Sequence, residues 1–140
     1  MRKIVFLVFT FLLTISFTSC KTEKKEEGPT QMEQVMAIHD EVMPKMGKLG
    51  KLVAELKQKV DSTEEGLRYD AAMKDLQAAH QSMMDWMKGF GDRFDSSEIL
   101  DGKALTAQKQ KWLDEEEEKV KALQQQINSS LEKAEELLAK

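Results

Sequence analysis

The sequence predicts an all-α protein: an elongated up-down-up three-helix bundle with coiled-coil-like packing, preceded by a signal peptide and a flexible tether. Three observations predict it. Apolar residues recur in alternating steps of three and four over most of residues 31–140, the breaks between those runs are short and polar, and residues 1–20 differ in composition from everything after them. Steps of three and four are the mark of a helix that buries one seam. A chain of 140 residues with 41% apolar side chains is enough for one domain with a modest core. The expected organisation is a signal peptide over 1–19, a tether over 20–30 and a bundle over 31–140, with helices at about 31–60, 63–94 and 104–139.

Residues 1–20 hold 13 apolar side chains, including four of the six phenylalanines. Arg2 and Lys3 precede an apolar run from Ile4 to Phe17. That run is 14 residues long, whereas a membrane-spanning helix needs about 20, so it reads as a secretory signal. It ends in Phe17-Thr18-Ser19-Cys20, which resembles a bacterial lipobox, with Phe17 where leucine is usual, as in the looser lipoboxes of Bacteroidota. The resemblance implies that Cys20 becomes the first residue of the mature protein and carries a diacylglycerol thioether and an acylated amine. Two or more chains, at ~0.8 kcal/mol per buried methylene, make a stable membrane anchor. Lys21 stands where an inner-membrane retention signal has aspartate, which points to the outer membrane. A lysine followed by acidic residues is also similar to the surface-export signal of some Bacteroidota lipoproteins, so a periplasmic and a surface-facing body both stay open. The polar stretch Lys21 to Pro29 has no periodicity and reads as a solvated tether, reaching at most ~33 Å over ten residues.

The first helix carries a seam of Met32, Val35, His39, Val42, Met46, Leu49, Val53, Leu56 and Val60. Pro44 lies inside it, removes the bond to the Asp40 carbonyl and predicts a kink between Met43 and Met46. Asp61-Ser62-Thr63-Glu64-Glu65 follows, where Ser62 with Glu65 or Asp61 with Glu64 can form a capping box. The second helix repeats the pattern in Tyr69, Met73, Leu76, His80, Met83, Met87, Phe90 and Phe94. So short a connection makes the two helices antiparallel neighbours. Asp95-Ser96-Ser97-Glu98 offers a new cap, and residues 99–104, broken at Gly102, read as a loop or ragged first turn. The third helix runs along Leu113, Val120, Leu123, Ile127, Ala134 and Leu137, with Leu131 and Leu138 alongside. Each helix is apolar on one face only, so packing supplies most of the stability.

Composition excludes several functions. Beyond residue 20 there are 19 basic against 25 acidic side chains, a net charge of −6, and a nucleic-acid partner would need a basic face instead. One cysteine rules out an internal disulfide framework and thiolate-rich zinc or iron–sulfur sites. There is no glycine-rich phosphate loop, no strand pattern and no internal repeat, and no serine or threonine is placed beside a histidine as a nucleophile. His39-Asp40-Glu41 lacks the second histidine of a zinc-protease helix. The run Asp114 to Glu118 reads as a solvated helix face.

The chemical peculiarity is a layer of methionine and histidine. Met36, Met43, Met46, Met73, Met83, Met84 and Met87 lie at or beside the first two seams, and His39 and His80 fall on them. In an antiparallel hairpin about this turn, residues whose numbers sum to about 126 face each other. His39 then faces Met87, His80 faces Met46, and Met43 faces Met83. Folding about residues 95–104 places Trp112 near Trp86 and the acidic run level with His80, with Glu116 as its natural partner. Methionine stripes ordinarily fill irregular gaps in a core, and a seam histidine ordinarily fixes register, so packing is the first reading. The second is a soft-metal site for Cu(I) or Ag(I) made by His39, Met43, Met46, His80, Met83 and Met87, since thioether and imidazole suit those ions without thiolate. Haem ligation by His and Met ranks last, with no Cys-x-x-Cys-His motif to attach it.

Ile38-His39-Asp40-Glu41-Val42-Met43-Pro44-Lys45-Met46 and Ser82-Met83-Met84-Asp85-Trp86-Met87, together with the signal and lipobox, resemble a group of small Bacteroidota lipoproteins. Some of these carry the label "viral A-type inclusion protein". The resemblance implies an exported, lipid-anchored helical protein and brings no catalytic residues. The expected function is therefore non-enzymatic: an envelope protein held to the membrane through Cys20, with no cofactor, serving as an interaction or structural module for a protein partner or a second copy. Cu(I)/Ag(I) binding in the envelope is the alternative.

Overall fold

The computed structural model describes residues 28–139; the expected signal peptide, Cys20 and most of the expected tether lie outside the described residues. Those residues are all helical apart from turns and short connections. Helix α1 (Gln31–Val42) opens with a capping box: the Thr30 hydroxyl accepts from the Glu33 amide, and the Glu33 carboxylate accepts from the Thr30 amide at 2.6 Å. Pro44 cannot donate to Asp40, and the chain answers with a 3₁₀ turn over Met43–Lys45 rather than an open kink. Helix α2 (Met46–Lys57) follows directly.

Helix α3 (Glu64–Arg93) is capped by Thr63, whose hydroxyl accepts from the Gly66 amide at 3.0 Å. Ser62 and Asp61 are not the caps; Asp61 instead accepts from the Thr63 amide at 2.9 Å and tightens the turn. Gly66 is required there, because a Cβ would stand 2.6 Å from the Asp61 backbone nitrogen. The segment after α3 is more ordered than a ragged turn. Asp95 and Glu98 make a second capping box for the short helix α4 (Ser96–Leu100), and the chain then reverses through Gly102 at φ +68°. Helix α5 (Ala107–Leu138) is capped by Thr106 and so begins three residues later than the sequence predicts.

Four of these helices pack together into a helical bundle: α3 on α5, α2 on α3, α1 on α5 and α2 on α5. Direction follows from paired side chains. Gln31 donates to Asp114, Gln124 to Glu41 and Lys45 to Asn128, and Lys48 pairs with Glu135, so α1 and α2 run parallel to α5. Arg93 meets Glu115 while Lys133 meets Asp75, so α3 runs antiparallel. The core is continuous along the bundle, with Val35, Val42, Leu56, Leu76, Ala79, Met83, Val120, Ile127 and Ala134 wholly buried. Burying each larger aliphatic side chain stabilises the fold by roughly 1.5–3 kcal/mol. No helix among the described residues is long and apolar enough to cross a membrane.

Two sequence expectations are corrected. The α3 core runs through Tyr69, Ala72, Leu76, Ala79, Met83, Trp86 and Phe90, so three of the eight expected seam positions are displaced by one residue. Ala72, Ala79 and Trp86 take the places expected for Met73, His80 and Met87; His80 and Met87 are exposed, and so is Val60 at the end of the first seam. Steps of three-then-four and four-then-three fit the same large residues, and the alanines decide between them by letting α2 approach closely. The α3–α5 register is also different. Glu115 and Glu116 meet Arg93, the last residue of α3, so the first two turns of α5 overrun α3 and are met by Glu98 and Gln31. The acidic run therefore stands about 20 Å along the axis from His80, at 1.5 Å per residue. Trp112 lies against the Arg93 guanidinium, 5.4 Å from its ring centre, rather than beside Trp86.

Candidate functional site

The end of the bundle formed by α1, the second half of α3 and the start of α5 holds nearly all of the polar groups the fold buries. Trp86, Phe90 and Phe94 stand one turn apart on α3, with successive ring centres 4.9 Å apart, and form an aromatic row facing inward. The His39 ring of α1 packs on Trp86 at 5.6 Å and 30°. Its side chain keeps 14% of its exposure, and Nδ1 lies 2.9 Å from Asp40 Oδ1. A carboxylate accepts only, so Nδ1 is the donor, and in the neutral ring Nε2 is the nitrogen that keeps a lone pair.

Behind Trp86, α3 and α5 leave an open groove of about 540 Å³ lined by Trp86, Gly89, Arg93, Glu116, Lys119 and Leu123, among others. Glu116 is 2% exposed and is compensated by Arg93 at 2.9 Å and Lys119 at 2.8 Å. Its partners are thus these two cations, and His80 is not among them. Trp86 Nε1 is buried with no acceptor. At the tip, Glu98 is buried and accepts from Lys109 at 2.5 Å; that bond, with the one to the Asp95 amide, holds its carboxyl below the usual range. Asp95 is held well below its ordinary value by the Ser97 hydroxyl, Lys103 and the Glu98 amide.

The candidate soft-metal residues do not form one cluster. His39 and Met43 are half-buried on α1 and in the turn, His39 against Trp86 of α3 and Met43 against the core. Met87 is exposed on α3, as is Met84. Met83 is wholly inside the core, and His80 is exposed at the rim of a separate groove beside Leu49, Gly50 and Val53 of α2. Met46 begins α2, half-buried. The structure sets the His39 ring against Trp86, the residue before Met87, while Met83 is buried in the core and His80 lies at a separate groove. Asp40, Trp86 and Arg93 were not legible as site residues, since their roles come from partners on other turns or helices. Cys20 lies outside the described residues. Comparison with family models, curated proteins and solved structures finds no match to this chain.

Proposed function

We propose that the chain is an exported lipoprotein whose elongated up-down-up three-helix bundle stands on a short tether from Cys20 and acts as a non-catalytic interaction or structural module of the cell envelope. The observation that carries this reading is where the helical body starts. The capping box at Thr30 begins α1 ten residues after Cys20, so the lipid and the aromatic end of the bundle share one side of the molecule. That same end carries α4, where Leu100 is 78% exposed. A tether of ten residues reaches at most ~33 Å, less than the ~48 Å length of α5, which holds the body close to the bilayer. A protein partner or a second copy then meets the helix faces distal to the membrane.

The test is fractionation of cells expressing the full chain and its Cys20→Ala variant. The parent is expected in the membrane fraction, extracted by detergent and not by salt, and the variant in the soluble envelope fraction or still joined to its signal. A parent that leaves the membrane in salt alone, or labelled lipid precursor that fails to enter the parent chain, overturns the reading.

A further inference from the structure

Monovalent copper and silver take two to four soft or borderline donors, and thioether with imidazole meets that need. Among the described residues no three His, Cys, Asp or Glu side chains gather as a metal-binding group, so harder ions lack a ligand set there. A different set is present on the outer seam between α1 and α3. His39 is oriented as metal-binding histidines are: its Nδ1–H is donated to Asp40, and no hydrogen bond reaches Nε2 among the described residues. Met43 lies one turn after His39, and Met36 three residues before it, both packed against the core and half-buried.

Across the interface the His39–Trp86 contact sets the level. Met87 follows Trp86 directly, and residues 80, 84 and 87 share one flank of α3 by their spacing of four and three. His80 marks which flank this is, because it borders the groove with Gly50 and Val53 of α2. Continued one and two turns along, the same flank carries Met84 and Met87, which are 36% and 38% exposed. By helical spacing, two partly exposed thioethers thus stand within a turn of the level that the His39–Trp86 contact sets. We propose that this seam binds one Cu(I) or Ag(I) ion through His39 Nε2 and the thioethers of Met43 and Met87, with Asp40 as the positioning residue and Met36 and Met84 as the surrounding sulfurs. Met83, His80 and Met46 take no part.

The experiment is an anaerobic titration of the full chain in detergent with Cu(I), against a chromophoric chelator, in a Cys20→Ala background so that no thiol competes. One equivalent is expected to bind, with sulfur and nitrogen neighbours in the copper X-ray absorption spectrum. His39→Gln should weaken binding more than tenfold, Met43→Leu and Met87→Leu severalfold each, and Asp40→Asn about tenfold, as outer-shell partners of metal-bound histidines do. His80→Gln should bind as the parent does. Met87 is at a half-exposed position, so Met87→Leu folds even if His39→Gln does not. No binding by the parent, or parental affinity in either His39→Gln or Met87→Leu, overturns the assignment.

Discussion

The two halves of the bundle are built on different principles. Where α2, the first half of α3 and the end of α5 meet, the buried side chains are Leu49, Leu52, Leu56, Tyr69, Ala72, Leu76, Ala79, Ile127, Leu131 and Ala134, and the one buried polar residue is Ser130, satisfied by the Gln126 carbonyl. Where α1, the second half of α3 and the start of α5 meet, the core adds Trp86, Phe90 and Phe94 to Val35, Val42, Met83, Leu113 and Val120, and it encloses Glu98, Glu116, most of His39 and an indole N–H without an acceptor. Alanine and leucine let α2 lie close on α3, whereas the Trp86–Phe90–Phe94 row stands between α3 and α1. Consistent local packing stabilises the first half. The second half departs from it, and such departures are where a functional site is expected.

Truncations in the two cores test this contrast with the largest effects. Phe90→Ala should cost about 3–5 kcal/mol and Leu76→Ala about 2–5 kcal/mol, measured by urea denaturation. The sharper difference is optical. Phe90→Ala removes the ring stacked on Trp86 and should shift tryptophan fluorescence, while Leu76→Ala, two to three turns away, should leave it unchanged. Equal shifts would mean that the halves are not separate environments.

Next comes the buried carboxylate of the aromatic half. Arg93→Met leaves Glu116 with Lys119 alone and should cost about 2–3 kcal/mol, below the full cost of an uncompensated charge because Lys119 remains. Arg93→Met combined with Glu116→Met should return stability to within about 1 kcal/mol of the parent, since apolar replacement of a buried pair is often neutral. A double variant as unstable as the single one would show that the pair fixes the α3–α5 register as well as neutralising charge.

This part of the fold was also the least legible in the sequence. The all-α class follows from periodicity, whereas the division of the first helix into α1 and α2 and the short α4 do not, and Tyr69, Leu76, Met83 and Phe90 are the positions on which either phase of the α3 seam agrees. The rest depended on Ala72 and Ala79, whose burial is a consequence of how close α2 comes and leaves no hydrophobic signal of its own. Pro44 marks the interruption correctly, but a 3₁₀ turn lets the two helices continue with Leu52, rather than Val53, in the core. The α3–α5 register failed because residues 94–106 form α4 and a loop that climbs along α5, held by the Glu98–Lys109 pair, and no periodic pattern encodes that overlap. Of the candidate site, the hairpin turn gave the level of His39 along α3 to within a residue, and the side chain it meets there is Trp86. Asp40's bond to His39 was not, since adjacent residues on a helix face different directions.

Acid should loosen the aromatic half first. Asp95 and Glu98 both have carboxyls held below their ordinary values of 3.8 and 4.5, by Ser97 and Lys109 foremost. A depressed carboxyl adds stability above its unfolded value and loses it as pH falls through the folded one. The thermal midpoint should therefore be flat above about pH 5 and fall below pH 4.5. Glu98→Gln should lower the midpoint at neutral pH and flatten the acid limb. An unchanged acid limb in that variant would assign the fall to other carboxylates.

The smallest effects come from two glycines of the aliphatic half, and they should have opposite signs. Gly50 is mid-helix in α2 with open space where a Cβ would go, so Gly50→Ala should stabilise by about 0.5–1 kcal/mol through the unfolded chain's lost freedom. Gly66 has the same helical backbone, but a Cβ there would stand 2.6 Å and 2.7 Å from the Asp61 nitrogen and oxygen. Those atoms belong to the turn that Asp61 and Thr63 hold together, and backbone cannot swing aside as a side chain can. Gly66→Ala should therefore destabilise by about 1–3 kcal/mol, as overpacking does. Chemical denaturation of both variants reads the difference in sign directly. A stabilised Gly66→Ala would mean that the turn between α2 and α3 shifts freely, and the hairpin register that sets His39 against Trp86 would then have to come from the core alone.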